Sequence, residues 1–261
     1  MQLKNARILL TGATGGLGQA LAQQLSEAGA ALLLSGRDAE RLRAIGTAPG
    51  TEISVVQADL SDDAGIAAVT AAARQFGVNV LINNAGIGCF GLLEQQEWPA
   101  VEQVLRTNLE TPVRLTQALL PLLQSQATAA IVNIGSTFGS IPFPGFAAYS
   151  TAKAGLRGFS QALRRELADT SVRVVHLAPR AIATPLNSAA VNALNQELGN
   201  QSDSPQDVAR QVVQALQEEA RERHFGFPEK LFAWLNGLAP GIIDNALAGK
   251  LSIIKKHASN L

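Results

Sequence analysis

Short apolar runs alternate with longer amphipathic segments along most of this 261-residue chain. Residues 7–11, 31–35, 52–57, 78–83, 130–135 and 172–177 read as strands. They are nearly continuous in Val, Ile, Leu and Ala, the pattern of strands buried on both faces. Between them, apolar positions recur at helical spacing over residues 17–29, 39–45, 62–76, 98–124 and 149–168. Strand and helix in alternation predict a parallel sheet covered by helices on both sides. Right-handed crossovers make that a doubly wound α/β sheet. No repeat or low-complexity linker interrupts the pattern, so residues 1–227 read as one domain. Residues 228–261 read as a helical extension.

The first strand leads into Gly12-Ala13-Thr14-Gly15-Gly16-Leu17-Gly18 and then a helix. Glycines serve where a backbone must turn tightly against a diphosphate, and a helix N-terminus offers that group amides and a positive dipole end. Strand, glycines and helix together predict a Rossmann-like dinucleotide site. The second strand ends at Gly36-Arg37. An acidic residue there would bind a ribose 2′-hydroxyl, whereas Arg37 suits a 2′-phosphate, so NADP(H) is expected over NAD(H). The alternative leaves Arg37 as a solvated turn residue and gives the ribose to Asp38. Asp59-Leu60 falls where an adenine ring would lie. Asp59 either accepts a bond from the exocyclic amine or caps the next helix.

Tyr149, the only tyrosine, stands four residues before Lys153. That spacing puts phenol and ammonium on one helix face. A neighbouring cation lowers a phenol pKa and readies it to exchange a proton.

Composition narrows the classes. The chain is 47% hydrophobic and 16% charged, as for a globular protein. Basic and acidic residues balance at 21 each, which argues against a nucleic-acid partner. The single Cys89 excludes an intrachain disulfide and a Cys-rich metal site, and no metal is expected. No secretory pattern precedes the first strand and no apolar run spans a bilayer, so a cytoplasmic location is expected.

The glycine turn, Asn83-Asn84-Ala85-Gly86, Asn108, Ser136, and Tyr149 with Lys153, in this order, resemble the short-chain dehydrogenase/reductase family in its compact single-domain form. The resemblance covers roughly residues 5 to 190. It implies a catalytic tetrad of Asn108, Ser136, Tyr149 and Lys153. Tyr149 would be the general acid or base, and Lys153 would tune it and bind the nicotinamide ribose. Ser136, thirteen residues before Tyr149, would bond the substrate carbonyl. Asn108 would hold a water linked to the lysine. Asn84, Ala85 and Gly86 would line the cofactor cleft, with Pro179, Ile182 and Thr184 beside the nicotinamide. The implied activity is hydride transfer between NADP(H) and a carbonyl or secondary alcohol. A non-catalytic NADP-binding sensor on the same fold is the alternative, and a dehydratase or epimerase a third reading. A homodimer or homotetramer through residues 98–124 and 149–168 is also implied.

Arg180 follows Pro179 where the family usually has glycine. It implies a strained or altered backbone, with a side chain either turned out to solvent or placed as a cation at the site's mouth. Phe138, Phe143 and Phe146 precede Tyr149 and suggest a lipophilic substrate, though loop packing also accounts for them. Residues 185–204 would form a mobile lid. In the extension, Trp234, several Phe, Leu and Ile, and terminal lysines make a helix interrupted at Pro240-Gly241. It would cover the cleft, pack on a partner subunit or touch a membrane surface weakly.

Overall fold

The structure, a computed structural model, describes residues 1–258; residues 259–261 of the extension lie outside the described residues. Seven parallel strands form one sheet: β1 (Arg7–Leu10), β2 (Ala31–Gly36), β3 (Ile53–Gln57), β4 (Val80–Asn83), β5 (Ala129–Ile134), β6 (Val172–Ala178) and β7 (Glu222–His224). Their order is β3-β2-β1-β4-β5-β6-β7. The first six match the predicted runs to within two residues. The three-residue β7 was not legible, because Glu-Arg-His has no apolar pattern.

The helices are α1 (Gly16–Glu27), α2 (Ala39–Arg43), α3 (Asp63–Phe76), α4 (Trp98–Leu105), α5 (Thr111–Gln124), α6 (Ala147–Glu166), α7 (Ala189–Glu197) and α8 (Pro205–Gln217). The extension adds α9 (Glu229–Leu238), α10 (Pro240–Ala248) and α11 (Leu251–Ala258). Strand alternation divides the core in two. Ile8, Leu32, Val80 and Ala130 stand in register and face α1 and α8. Leu9, Leu33, Leu81, Ile131 and Val174, also in register, face α3, α5 and α6. The second face holds a polar rung. Asn83 Nδ2 donates to Asn133 Oδ1 (2.8 Å), and Asn133 Nδ2 donates to Ser160 Oγ of α6 (2.8 Å). All three residues are buried, so this chain of hydrogen bonds ties β4, β5 and α6 together.

The apolar pattern over residues 98–124 predicts one helix, but the structure breaks it. Residues Arg106–Glu110 form a π turn between α4 and α5. Pro112 has no amide to donate to the Asn108 carbonyl four residues back, so the α-helical ladder cannot run through. The extension is three helices rather than one split helix. Among the described residues no helix is long and apolar enough to cross a membrane.

Candidate active site

The loops at the carboxyl ends of β1 to β6 surround a cavity of about 880 Å³. Every predicted site residue except Asn108 lines it. At one end lies the first turn. Gly12 has φ +63°, and a Cβ there would come within 2.7 Å of the Ala85 backbone. A Cβ on Gly18 would meet the Gly12 carbonyl oxygen at 2.2 Å. Only glycine fits both positions. No side chain caps the N-terminus of α1 at Gly15, so its first amides remain available to an anion.

Thr11 and Asn84 lock this turn to the end of β4. The Thr11 hydroxyl accepts from the Asn84 and Ala85 amides (both 3.0 Å), and Asn84 Nδ2 donates to the Thr11 carbonyl (2.9 Å). At the end of β2, Arg37 is exposed and lines the cavity. Asp38 instead caps α2, its carboxylate accepting from the Glu40 and Arg41 amides (3.0 Å each). Arg41 Nη2 donates to the Thr14 carbonyl (3.2 Å), bringing a second cation near this turn. Its only signal in the sequence is the four-residue spacing from Arg37. Asp59 lines the cavity and accepts from the Ser61 amide (2.9 Å), which holds its carboxyl below the ordinary value. The helix cap considered for it is made by Asp62, which accepts from the Gly65 amide (2.6 Å).

At the other end, α6 carries Tyr149 and Lys153 past the turn that holds Ser136. The Ser136 hydroxyl accepts from the Phe138 amide (3.2 Å), and its interaction with the Tyr149 phenol pulls that pKa down. Lys153 Nζ donates to the Ile134 carbonyl (2.9 Å) and lies 5.8 Å from the Tyr149 ring centre. Burial pushes the Lys153 ammonium down to about 8. Burial also pushes the Tyr149 phenol up, and the opposing pull comes from Ser136. The expected lowering of Tyr149 by Lys153 is therefore not found. Desolvation of the phenol dominates, and the ammonium is bonded to a carbonyl.

Asn108 sits in the π turn, buried and off the cavity wall. Its Oδ1 accepts from the Ile87 amide (2.9 Å) and its Nδ2 donates to the Ile87 carbonyl (2.8 Å). It thus clamps the backbone beside Gly86, where a Cβ would lie 3.0 Å from Asn108 Oδ1 and 3.7 Å from Lys153 Nζ.

The wall beside Tyr149 is aromatic. Phe138 stacks on Phe143 (centroids 5.0 Å) and packs against Phe146 (5.1 Å), while Phe90 packs on Phe146 (4.9 Å). Phe138 meets Tyr149 edge-on at 6.4 Å. Loop packing and pocket lining, weighed as alternatives for these residues, both hold. More of the lining comes from Phe227 and, in the extension, from Phe232, Ile243, Ala246, Leu247 and Lys250. Ile243, Ala246, Leu247 and Lys250 stand at helical i, i+3, i+4, i+7 spacing, a stripe legible in the sequence without its partner. Asn236 Nδ2 donates to the Ser140 carbonyl (2.9 Å), tying α9 to the loop after Ser136.

Arg180 lines the cavity, but neither the strained backbone nor the side chain turned out to solvent is found. Its φ is not positive, so the backbone carries no left-handed strain. Its guanidinium turns inward, Nε and Nη2 donating to the two Asp203 oxygens (3.0 and 2.6 Å), with Glu229 at 3.6 Å. The two carboxylates hold it protonated and occupy its charge. Asp203 also bridges Ile182, so both ends of the segment between them are pinned together. Pro179, Ile182 and Thr184 follow β6 along the cavity wall. The predicted lid carries α7, whose Glu197 accepts from Lys256 (3.0 Å) and pairs with His257 (2.7 Å) of α11.

The short chain dehydrogenase family model matches residues 6–195. Dehydrogenase/reductase SDR family member 7B of Bos taurus is 34% identical over 95% of this chain and 82% of its own. A short chain dehydrogenase from Burkholderia cenocepacia, solved in complex with NADP, superposes with a TM-score of 0.81 at 25% identity, covering 95% of this chain and 99% of that one. A Burkholderia phymatum relative solved with NAD shares the fold, with a TM-score of 0.82 at 22% identity over 93% and 96%. This chain belongs to the short-chain dehydrogenase/reductase family.

Proposed function

We propose that this oxidoreductase is an NADP(H)-dependent reductase of lipophilic carbonyl compounds, with Tyr149 as proton donor. The observation that carries the reading is the meeting of Ser136, Tyr149 and Lys153 in a cavity that Phe138, Phe143, Phe146, Phe232 and Leu247 also line. The glycine turn, the uncapped start of α1 and exposed Arg37 suit a dinucleotide bearing a 2′-phosphate. When bound, the nicotinamide supplies hydride to the carbonyl carbon. Tyr149 gives its proton to the carbonyl oxygen, and Ser136 donates a hydrogen bond where negative charge develops. The raised Tyr149 pKa keeps the phenol protonated at neutral pH, the form that donates to a carbonyl oxygen. Lys153 adds a buried positive charge beside that oxygen's path while it remains protonated, below about pH 8.

The test is Tyr149→Phe assayed for NADPH oxidation against medium- and long-chain ketones and aldehydes. Turnover should fall by at least a thousandfold while NADPH affinity, read by fluorescence titration, stays within a few fold. Turnover that survives the substitution would remove Tyr149 from the chemistry.

A further inference from the structure

Ten large hydrophobic side chains are exposed among the described residues, and seven lie in the lid, in the extension or just before it: Leu186, Phe227, Leu231, Phe232, Trp234, Leu238 and Ile242. The clustering has a regular basis. Leu231, Trp234 and Leu238 fall at i, i+3, i+7 on α9, with Phe227 one turn earlier. They are 47%, 62%, 66% and 77% exposed, so this face of the helix is largely uncovered by the described residues. The neighbouring α10 turns Ile243 and Leu247 to the cavity and leaves Ile242 outside. Leu186, Phe227 and Phe232 are both exposed and part of the cavity lining. The outer apolar face is therefore continuous with the rim of the cavity.

We propose that this face seats on an anionic lipid surface, with the cavity mouth opening onto the bilayer, the source of its lipophilic substrate. The substrate clause rests on the function proposed above. The surface itself is argued from geometry and charge. At ten and nine residues, α9 and α10 are about 15 and 14 Å long, far short of the bilayer core. They suit lying in the interface, with Trp234 at headgroup depth. The chain as a whole is neutral, but residues 229–258 carry Lys230, Lys250, Lys255 and Lys256 against Glu229 and Asp244, with Lys256 paired to Glu197. Glu229 is turned inward toward Arg180. Lys230 flanks the apolar face, and Lys250 lines the cavity and is exposed. Protein interface cores are depleted in lysine, whereas anionic headgroups attract it. A second copy seated on this rim would also cover the mouth, while a bilayer would feed it.

Trp98→Phe leaves Trp234 as the only tryptophan and reports on this face directly. With vesicles of phosphatidylcholine and phosphatidylglycerol, Trp234 emission should shift to the blue and be quenched by brominated acyl chains, and the protein should sediment. Added salt or phosphatidylcholine alone should weaken both. Leu231→Ser with Leu238→Ser in the same background should cut partitioning at least tenfold, with the melting temperature and NADPH affinity checking the fold. These readouts do not depend on turnover, so they separate this proposal from the proposed reaction. Absence of shift and sedimentation on anionic vesicles overturns it. So does a blue shift that follows protein concentration without lipid and disappears when the double substitution dissociates an oligomer.

Discussion

Arg37 and His176 show how differently two cationic residue types act in this fold. Arg37 is exposed at the end of β2, and its neighbour Asp38 is committed to capping α2. In the proposed NADP(H) site, loss of Arg37 removes a charge-assisted partner of the 2′-phosphate, typically worth about 1.5–3 kcal/mol. Arg37→Ala should therefore lower kcat/KM for NADPH by roughly ten- to a hundredfold and leave NADH nearly unchanged. Steady-state kinetics with both cofactors check this, and equal losses would refute the phosphate role. His176 on β6 is fully buried, and neither ring nitrogen has a hydrogen-bond partner among the described residues. Burial pushes its imidazole from 6.5 down to about 3. The unfolded chain thus binds a proton that the folded chain refuses between those values. This contribution is intact above pH 6.5 and is lost as pH falls toward 3. By pH 5 the loss is about 2 kcal/mol. Urea unfolding at pH 8 and pH 5 should show His176→Asn losing about 2 kcal/mol less than the parent over that interval.

Among elements, the segment from Ile182 to Asp203 depends on contacts distant in the chain. Its base is closed by the Ile182–Asp203 bridge and by the Arg180–Asp203 ion pair, with both side chains more than four-fifths buried. Arg180→Ala would leave two carboxylates without their cation, at a cost of about 1–3 kcal/mol. The expected outcome is a lower melting temperature and faster proteolysis within residues 185–204, with Arg180→Lys intermediate because it cannot make the two-point contact. Proteolysis no faster than in the parent would show that the clasp does not restrain the lid. Neither Asp203 nor Glu229 was legible as a partner of Arg180, since 23 and 49 residues separate them from it. The strands, by contrast, were legible because burial on both faces leaves a continuous apolar run in the local sequence. The π turn fell between these cases. Pro112 is visible in the sequence, but the inward placement of Asn108 depends on its clamp on Ile87.

At the scale of the molecule, the cavity joins the carboxyl edge of the sheet to the inner face of the extension. An apolar enclosure of this kind rewards each buried methylene by about 0.8 kcal/mol, or nearly fourfold in affinity. A homologous series of aldehydes or methyl ketones should therefore show kcat/KM rising by up to about fourfold per carbon until the space between Phe138 and Leu247 is filled. A flat series would argue for a substrate held by polar contacts. The doubly wound sheet, the glycine turn and the Tyr149–Lys153 spacing were written locally, in burial patterns and in residues whose chemistry has few alternatives. The raised Tyr149 pKa and the inward turn of Arg180 were not, and the covering of the cavity by α9 and α10 was one alternative of three. Each depends on desolvation or on a partner far along the chain, and those quantities exist only once the chain has packed.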